Sequence, residues 1–413
     1  MAPMQCYTNA PLRKLFHLLS PSSTKWTEME KVDDIYPKTK SIEYLDDALE
    51  KRLGSPQTYD EASSLVLQLG SNDPNRLKEC VQHTALVGYD FKEINLNCGC
   101  PAIDSGGATT YGASLMKEPH LTGKLVESVR SGLNAVDILD DTKVSVKCRI
   151  GVFDDAENMR PLDTTDYDYL KNYISIINDA GADHIILHAR PAILSGLSPV
   201  KNRIIPQLDY EFVENIASEF EGKVRITLNG GITSLSQLRS LQTKPSSISS
   251  HMAGRWCLRR PLDMIGVEGL LQGKKLHSKR VEDAIKEYID YAVRFASLPS
   301  QKQRFTTADL CLPLFLVVEQ LRDDYDYEYD EEHDSNLLSD SAIEIEQPLL
   351  NFEEIESLYD ILQDGVLQME SFSNSKEKKS NSDDINFKRL STSFKGLVGT
   401  KVANKWKRNR AEL

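Results

Sequence analysis

Short apolar runs recur through the first two thirds of the chain at helix-length intervals, and each run gives way to polar or glycine-rich residues. The runs are Ala2–Met4, Lys25–Met29, Leu65–Leu69, Glu93–Asn97, Val144–Lys147, His184–His188, Val224–Asn229 and Ser249–Ala253. Amphipathic stretches fit between them at Pro74–Gly88, Leu121–Val136, Thr165–Ala180, Tyr210–Glu219 and Ser234–Leu241. Eight strands alternating with helices predict an α/β protein. A closed (β/α)8 TIM barrel over residues 1–270 fits better than an open doubly wound sheet. Ser249–Ala253 is poor in β-branched residues, and its place as the last strand rests on the Gly254-Arg255 pair after it.

Charge divides what lies beyond the barrel. Residues 321–384 hold twenty acidic and four basic side chains, whereas the rest of the chain carries 42 acidic and 45 basic. The net charge of −13 therefore belongs to one segment, and a near-neutral body is left that does not exclude a nucleic-acid partner. From Asn386 to Leu413 there are eight basic residues and one acidic. The expectation is an all-helical domain over 281–413, interrupted by an acidic insert at 322–384 with the composition of a disordered loop. Within that insert Pro348–Met369 could form a short helix, and Ser371–Asp384 is of low complexity.

Seven scattered cysteines are odd in number and argue for a reducing, cytoplasmic setting over a disulfide framework. Zinc needs about four ligands from closely spaced pairs. Cys98 and Cys100 have no second pair to join, so no metal site is expected. No apolar run approaches the ~20 residues of a membrane span, and no signal peptide is legible. Because a strand is expected at residue 1, an upstream organelle address could have preceded it. A monomer is expected, although oligomeric state is not written in the sequence.

Chemistry in such barrels gathers at the C-terminal ends of the strands. The expected ends are Gln68, Asn97, Lys147, His188 and Asn229. One polar strand end is ordinary, but five together have no packing reason. The Asn229-Gly230-Gly231 turn and Gly254-Arg255 come after the last two strands, where barrels often bind phosphate through backbone N–H groups. A phosphate held there, with Lys147 and His188 across the mouth, suits FMN. His188 could equally be a satisfied core histidine. Asn97-Cys98-Gly99-Cys100-Pro101 can present a thiol rigidly, since Gly99 allows a tight bend and Pro101 restricts the backbone after Cys100. A thiol of pKa ~8.5 is mostly protonated near neutrality and can donate a proton. On this reading alone both cysteines could as well be small buried apolar residues.

Glu93-Ile-Asn-Leu-Asn-Cys-Gly-Cys-Pro101, with Tyr111-Gly-Ala-Ser-Leu-Met116 downstream, resembles the signature of the tRNA-dihydrouridine synthases. The resemblance extends through Ala2-Pro3-Met4, Thr27-Glu28-Met29, Leu67-Gln-Leu-Gly70, Val146-Lys-Cys-Arg-Ile-Gly151, Leu187-His-Ala-Arg190, Asn202-Arg203 and Asn229-Gly-Gly-Ile232. Leu194-Ser-Gly-Leu-Ser-Pro199 looks like the A-type branch, which acts on D-loop uridines 20 and 20a. The match covers residue 2 to about 270 and resumes near Phe387–Arg408.

This resemblance implies FMN, NADPH as reductant and tRNA as substrate. It assigns Ala2, Pro3, Met4, Gln68, Lys147, His188, Asn229, Gly230, Gly231, Gly254 and Arg255 to FMN, and Asn97 and Arg203 to tRNA. It makes Cys100, not Cys98, the proton donor to uracil C5, opposite a hydride delivered to C6. Lys405, Lys407 and Arg408 would contact tRNA phosphates.

The pattern is broken in places. Thr109 and Thr110 stand where an arginine is usual, Val200 with Lys201 beside it replaces a lysine, and Gln5–Asn9 lacks the usual aspartate. Two other readings are open, a small-molecule FMN barrel reductase and a non-catalytic tRNA-binding relative.

Overall fold

Along each strand the side chains alternate between an apolar outer face and an inner face that is largely polar, the period of two that a strand imposes. Leu67, Leu69, Ile94, Leu96, Val144, Val146, Ile185, Leu187, Ile226 and Leu228 join the main hydrophobic core under the helices. The intervening positions include Gln68, Asn95, Ser145, His184, Thr227 and Asn229, all buried. A computed structural model describes residues 1–37, 42–54, 65–101, 111–136, 142–274, 279–298, 304–333, 350–370 and 387–411.

In chain order the elements begin α1 (Ala10–Leu19), β1 (Lys25–Lys31), α2 (Val32–Ile35), α3 (Ile42–Leu53), β2 (Leu65–Gly70), α4 (Pro74–Leu86), β3 (Glu93–Cys98) and α5 (Pro119–Asn134). Next come β4 (Lys143–Arg149), β5 (Val152–Asp155), α6 (Thr164–Asp179), β6 (His184–His188), β7 (Ala192–Ser195), α7 (Tyr210–Glu219), β8 (Arg225–Asn229), α8 (Leu235–Thr243) and β9 (Ser250–Met252). The remainder is helical: α9 (Arg255–Arg259), α10 (Met264–Gln272), α11 (Lys279–Ala296), α12 (Thr307–His333), α13 (Phe352–Glu370), α14 (Phe387–Val398) and α15 (Thr400–Ala411).

Among the described residues seven strands form one parallel sheet in the order β1-β2-β3-β4-β6-β8-β9, and β5 pairs with β7 in a small second sheet. Helices accompany the curled parallel sheet as a TIM-type fold requires. One expected strand is absent. Ala2–Met4 takes no strand conformation. Instead the Met1 amino group donates to Thr24 O at 2.9 Å, just before β1, and Ala2 N–H donates to Ala253 O at 2.7 Å, just past β9. Pro3 has no N–H to continue a ladder. The chain then turns at once, with Tyr7 and Thr8 N–H groups returning to Met4 O.

The N-terminal ends of the strands carry a buried polar network. His184 Nδ1 lies 3.0 Å from a Glu93 carboxylate oxygen, His184 Nε2 lies 2.6 Å from Thr227 Oγ1, and Arg225 reaches the same carboxylate at 3.3 Å. Burial pushes the Glu93 carboxyl upward, and the His184 and Arg225 contacts more than offset this, leaving it below the usual carboxylate range.

The chain divides into two units: Met1–Thr8, Thr24–Ile232 and Ser240–Gly254 in one, and Asn9–Ser23, Thr233–Arg239 and Arg255–Leu413 in the other. In the second unit α1 starts at Asn9, whose side chain accepts from Leu12 N–H at 3.1 Å.

Helices occupy part of the segment expected as an acidic insert. α12 continues without a break to His333. Asp324 is buried and takes Arg260 Nη1 at 2.7 Å, while Asp323 takes Arg410 at 2.7 Å. α13, which the insert was expected to contain, buries Ile355, Leu358, Leu362, Val366 and Met369 on one face. It crosses α11 so closely that a Cβ on Gly365 would lie 2.6 Å from Ile289 Cδ1. Residues 334–349 and Ser371–Asp384 lie outside the described residues. Leu362→Ala should therefore lower the unfolding free energy by about 2–5 kcal/mol in denaturant melts. A loss within about 0.5 kcal/mol, the range of surface changes, would contradict this packing.

Candidate active site

Strand register sets the polar ends side by side at one rim of the first unit: Met29 pairs with Gln68, Asn97 with Lys147, Arg149 with His188, and His188 with Asn229. Across this rim runs a chain of side-chain hydrogen bonds. The Asn95 amide lies 2.8 Å from the Gln68 amide and 2.7 Å from Ser145 Oγ, and Asn97 Nδ2 donates to Gln68 Oε1 at 2.9 Å.

Asn97 also shapes the adjoining turn. Its Oδ1 accepts from the N–H groups of Gly99 and Cys100 at 3.2 and 3.0 Å. Arg149 Nε holds Gly99 O at 3.1 Å, and Ala113 N–H holds Cys100 O at 2.9 Å. That last contact needs Gly112, which sits at φ +73°; a Cβ there would come 2.6 Å from Cys100 O. The turn is thus fixed from three sides.

The two cysteines that the residues alone left as equals, and that the resemblance told apart, differ in their surroundings. Cys98 is fully buried in the outer hydrophobic core, and burial pushes its thiol up to about 12. Cys100 is only partly buried and stands on the braced turn. The structure brings Lys147 to the neighbouring strand position, with its amine held down to about 8, first by burial and then by the charge of Arg149.

The remaining expected residues fall into three places. Gly230 adopts φ +109°, and a Cβ on it would strike the His188 ring at 2.4 Å; on Gly231, at φ +73°, it would strike Leu208 at 2.3 Å. Tyr210 hydroxyl locks the turn by donating to Gly230 O at 2.7 Å. Asn229 Nδ2 donates to Met252 O at 2.8 Å and so ties β8 to β9. Gly254 lies where a Cβ would be 3.3 Å from both Ala2 Cβ and Met4 Sδ, which gathers Ala2, Pro3 and Met4 at this edge. Arg255 opens α9 in the second unit, where burial lowers its pKa. Arg203 is exposed at the end of a 3-10 turn beside exposed Ile204 and Ile205. Thr109 and Thr110 lie outside the described residues.

Sequence reasoning missed Asn95, Ser145, Arg149, Asn202 and Gly112. Arg149 is buried and donates to Gly99 O, Pro191 O and Asn202 O; burial, and then the charges of Arg203 and Arg190, pull its pKa below the usual arginine value. Asn202 is fully buried and exchanges two hydrogen bonds with Ile193, at 2.8 and 2.9 Å, which pins the Arg203 turn to β7. Arg149 comes two residues after Lys147 on one strand face, a spacing that could have disclosed it.

Residues 1–301 match the family model described as dihydrouridine synthase. The chain belongs to the dihydrouridine synthase family. It is 34% identical to a tRNA-dihydrouridine(20/20a) synthase of Shewanella oneidensis over 294 residues, covering 70% of this chain and 77% of that one. A Xanthomonas campestris protein of the same description is 33% identical over 292 residues, covering 70% and 76%. One from Synechocystis is 37% identical over 201 residues, covering 49% and 53%. The family match spans every described strand and every residue of the candidate site at the strand ends.

Proposed function

We propose that this chain is a tRNA-dihydrouridine synthase that uses FMN, with NADPH as reductant, to reduce D-loop uridine 20 or 20a. The observation that carries the reading is Cys100, held on a turn braced at three points and set beside the strand ends bearing Lys147 and His188. Relatives described as tRNA-dihydrouridine(20/20a) synthases support the choice of substrate.

The residues present fit FMN. Gly230, Gly231 and Gly254 leave cradles that a Cβ would fill, and such turns let backbone N–H groups approach phosphate. Gln68, Lys147, His188 and Asn229, with Ala2, Pro3, Met4 and Arg255, would hold the cofactor. Bound FMN supplies the hydride that reaches uracil C6. Lys147, as an ammonium, would offset negative charge on the pyrimidine end of the ring system. Cys100 would donate its thiol proton to C5 of the uracil, which completes the addition of H⁻ and H⁺ across C5=C6. Asn97 and Arg149 position that thiol. The target base must leave its stack to reach the mouth. Arg203, with Lys405, Lys407 and Arg408, would take up tRNA phosphates, whereas Arg410 is already engaged by Asp323 and Arg259 O.

Incubating the protein with NADPH and an unmodified tRNA transcript, then mapping dihydrouridine by position, tests this. Dihydrouridine at 20 or 20a is expected; reduction of a free pyrimidine such as orotate, with tRNA untouched, would favour the small-molecule reading. Lys147 adds a pH test. Its ammonium is present below about pH 8 and lost above it, so turnover should fall as pH rises through that value. Lys147→Arg, whose charge persists, should flatten that alkaline fall. An unchanged profile would remove Lys147 from the charge-balancing role.

A further inference from the structure

The proposed chemistry leaves unused a pocket of about 140 Å³ at the C-terminal ends of β1 and β2. Its wall includes Lys31, Asp33, Gly70, Asn72, Arg76 and Tyr111. This is well below the ~300–1,000 Å³ of a site for a whole small ligand, so it suits one ring of a larger one. The cations Lys31 and Arg76 are balanced by Asp33 and Asp73, which leaves no net charge to select a phosphate.

The walls are those that receive a flat, neutral, hydrogen-bonding ring. Tyr111 supplies an aromatic side chain, packed so closely on the strand end that a Cβ on Gly70 would lie 3.2 Å from it. The Arg76 guanidinium is fixed in advance. It lies 5.0 Å from the Tyr36 ring centre, its Nη2 donates to Asp33 at 3.3 Å and to Tyr36 O, and its Nε finds no acceptor among the described residues. Held this way, the guanidinium forms a planar, donor-bearing part of the wall, suited to a heterocycle carrying carbonyl or ring-nitrogen acceptors. Proteins that read unstacked RNA use such aromatic and guanidinium planes.

Position decides which ring. Tyr111 immediately precedes Gly112, whose backbone packs on Cys100 O, so pocket and acid turn share a wall. We propose that this pocket takes the base of the nucleotide adjoining the target uridine in tRNA, so that two neighbouring bases leave the stack together. The inference rests on the tRNA reading above and extends it to a second recognised base.

The full-length protein is assayed with a tRNA transcript and with the same transcript made abasic at the 5′ or the 3′ neighbour of the target. Tyr111→Ala and Arg76→Gln should each raise KM for intact tRNA about tenfold, at the low end of what stacking one base on an aromatic ring contributes. Tyr111→Phe should restore it, kcat at saturation should stay within about twofold, and flavin reduction by NADPH alone should be unchanged. On one of the two abasic transcripts wild type and variants should converge, because the partner ring is gone from both. Equal losses on intact and both abasic transcripts would overturn the proposal. So would a slowed NADPH half-reaction with normal tRNA kinetics, which would assign the pocket to nicotinamide. A wild-type protein that reduces no tRNA would instead defeat the parent reading.

Discussion

Cys100→Ala should retain its flavin and its reduction by NADPH while losing about 10²- to 10⁴-fold in dihydrouridine formation, the range a positioned proton donor contributes. The expectation separates two half-reactions, because in the proposed reaction Cys100 would enter only when uracil C5 must be protonated. Single-turnover absorbance reads the first, and dihydrouridine in tRNA reads the second. Cys98→Ala is the matched comparison. Its thiol is buried in the core and held protonated near pKa 12, so its loss should cost stability and leave turnover within a few-fold. Normal turnover by Cys100→Ala would sink the acid assignment, and a collapse in Cys98→Ala with intact folding would reverse the two roles.

Gly230→Ala should empty the protein of flavin. The backbone there sits at φ +109°, a region costing a non-glycine residue roughly 1–3 kcal/mol, and the new Cβ would overlap the His188 ring. The ring must swing away, and with it one of the groups proposed to hold the cofactor. Gly222→Ala separates strain from displacement. It carries the same kind of backbone penalty at φ +74° but has nothing within 4 Å of the added carbon. It should lose stability comparably and stay yellow. If both variants lost flavin equally, backbone strain would explain the result and His188 would have no part in it.

Much of this site was legible because strand ends at a barrel mouth have no packing reason to be polar. Gln68, Asn97, Lys147, His188 and Asn229 were found that way, and the structure places them along one rim. What escaped was the layer beneath. Asn95 and Ser145 look like interruptions in apolar runs, and only the pairing of β3 with β4 sets them opposite each other. Ala2–Met4 read as a strand because composition cannot register that Pro3 donates nothing and that the chain turns immediately afterward. The helix expected within Pro348–Met369 is α13, but its packed face was hidden by averaging. The acidic count over 321–384 pools both faces of a helix, although Ile355, Leu358, Leu362 and Val366 already stood at helical spacing.

Asn97 touches both halves of the proposed reaction. One end of its amide fastens Gln68, assigned to the flavin, and the other fastens the backbone of Cys100. On the proposed assignments, electron delivery and proton delivery would therefore be mounted on a single hinge pin. A substitution at Asn97 cannot alter one in isolation, so its kinetic signature should be a correlated loss in both half-reactions. Any change that retunes the turn of Cys100 through Asn97 also disturbs the hold on Gln68.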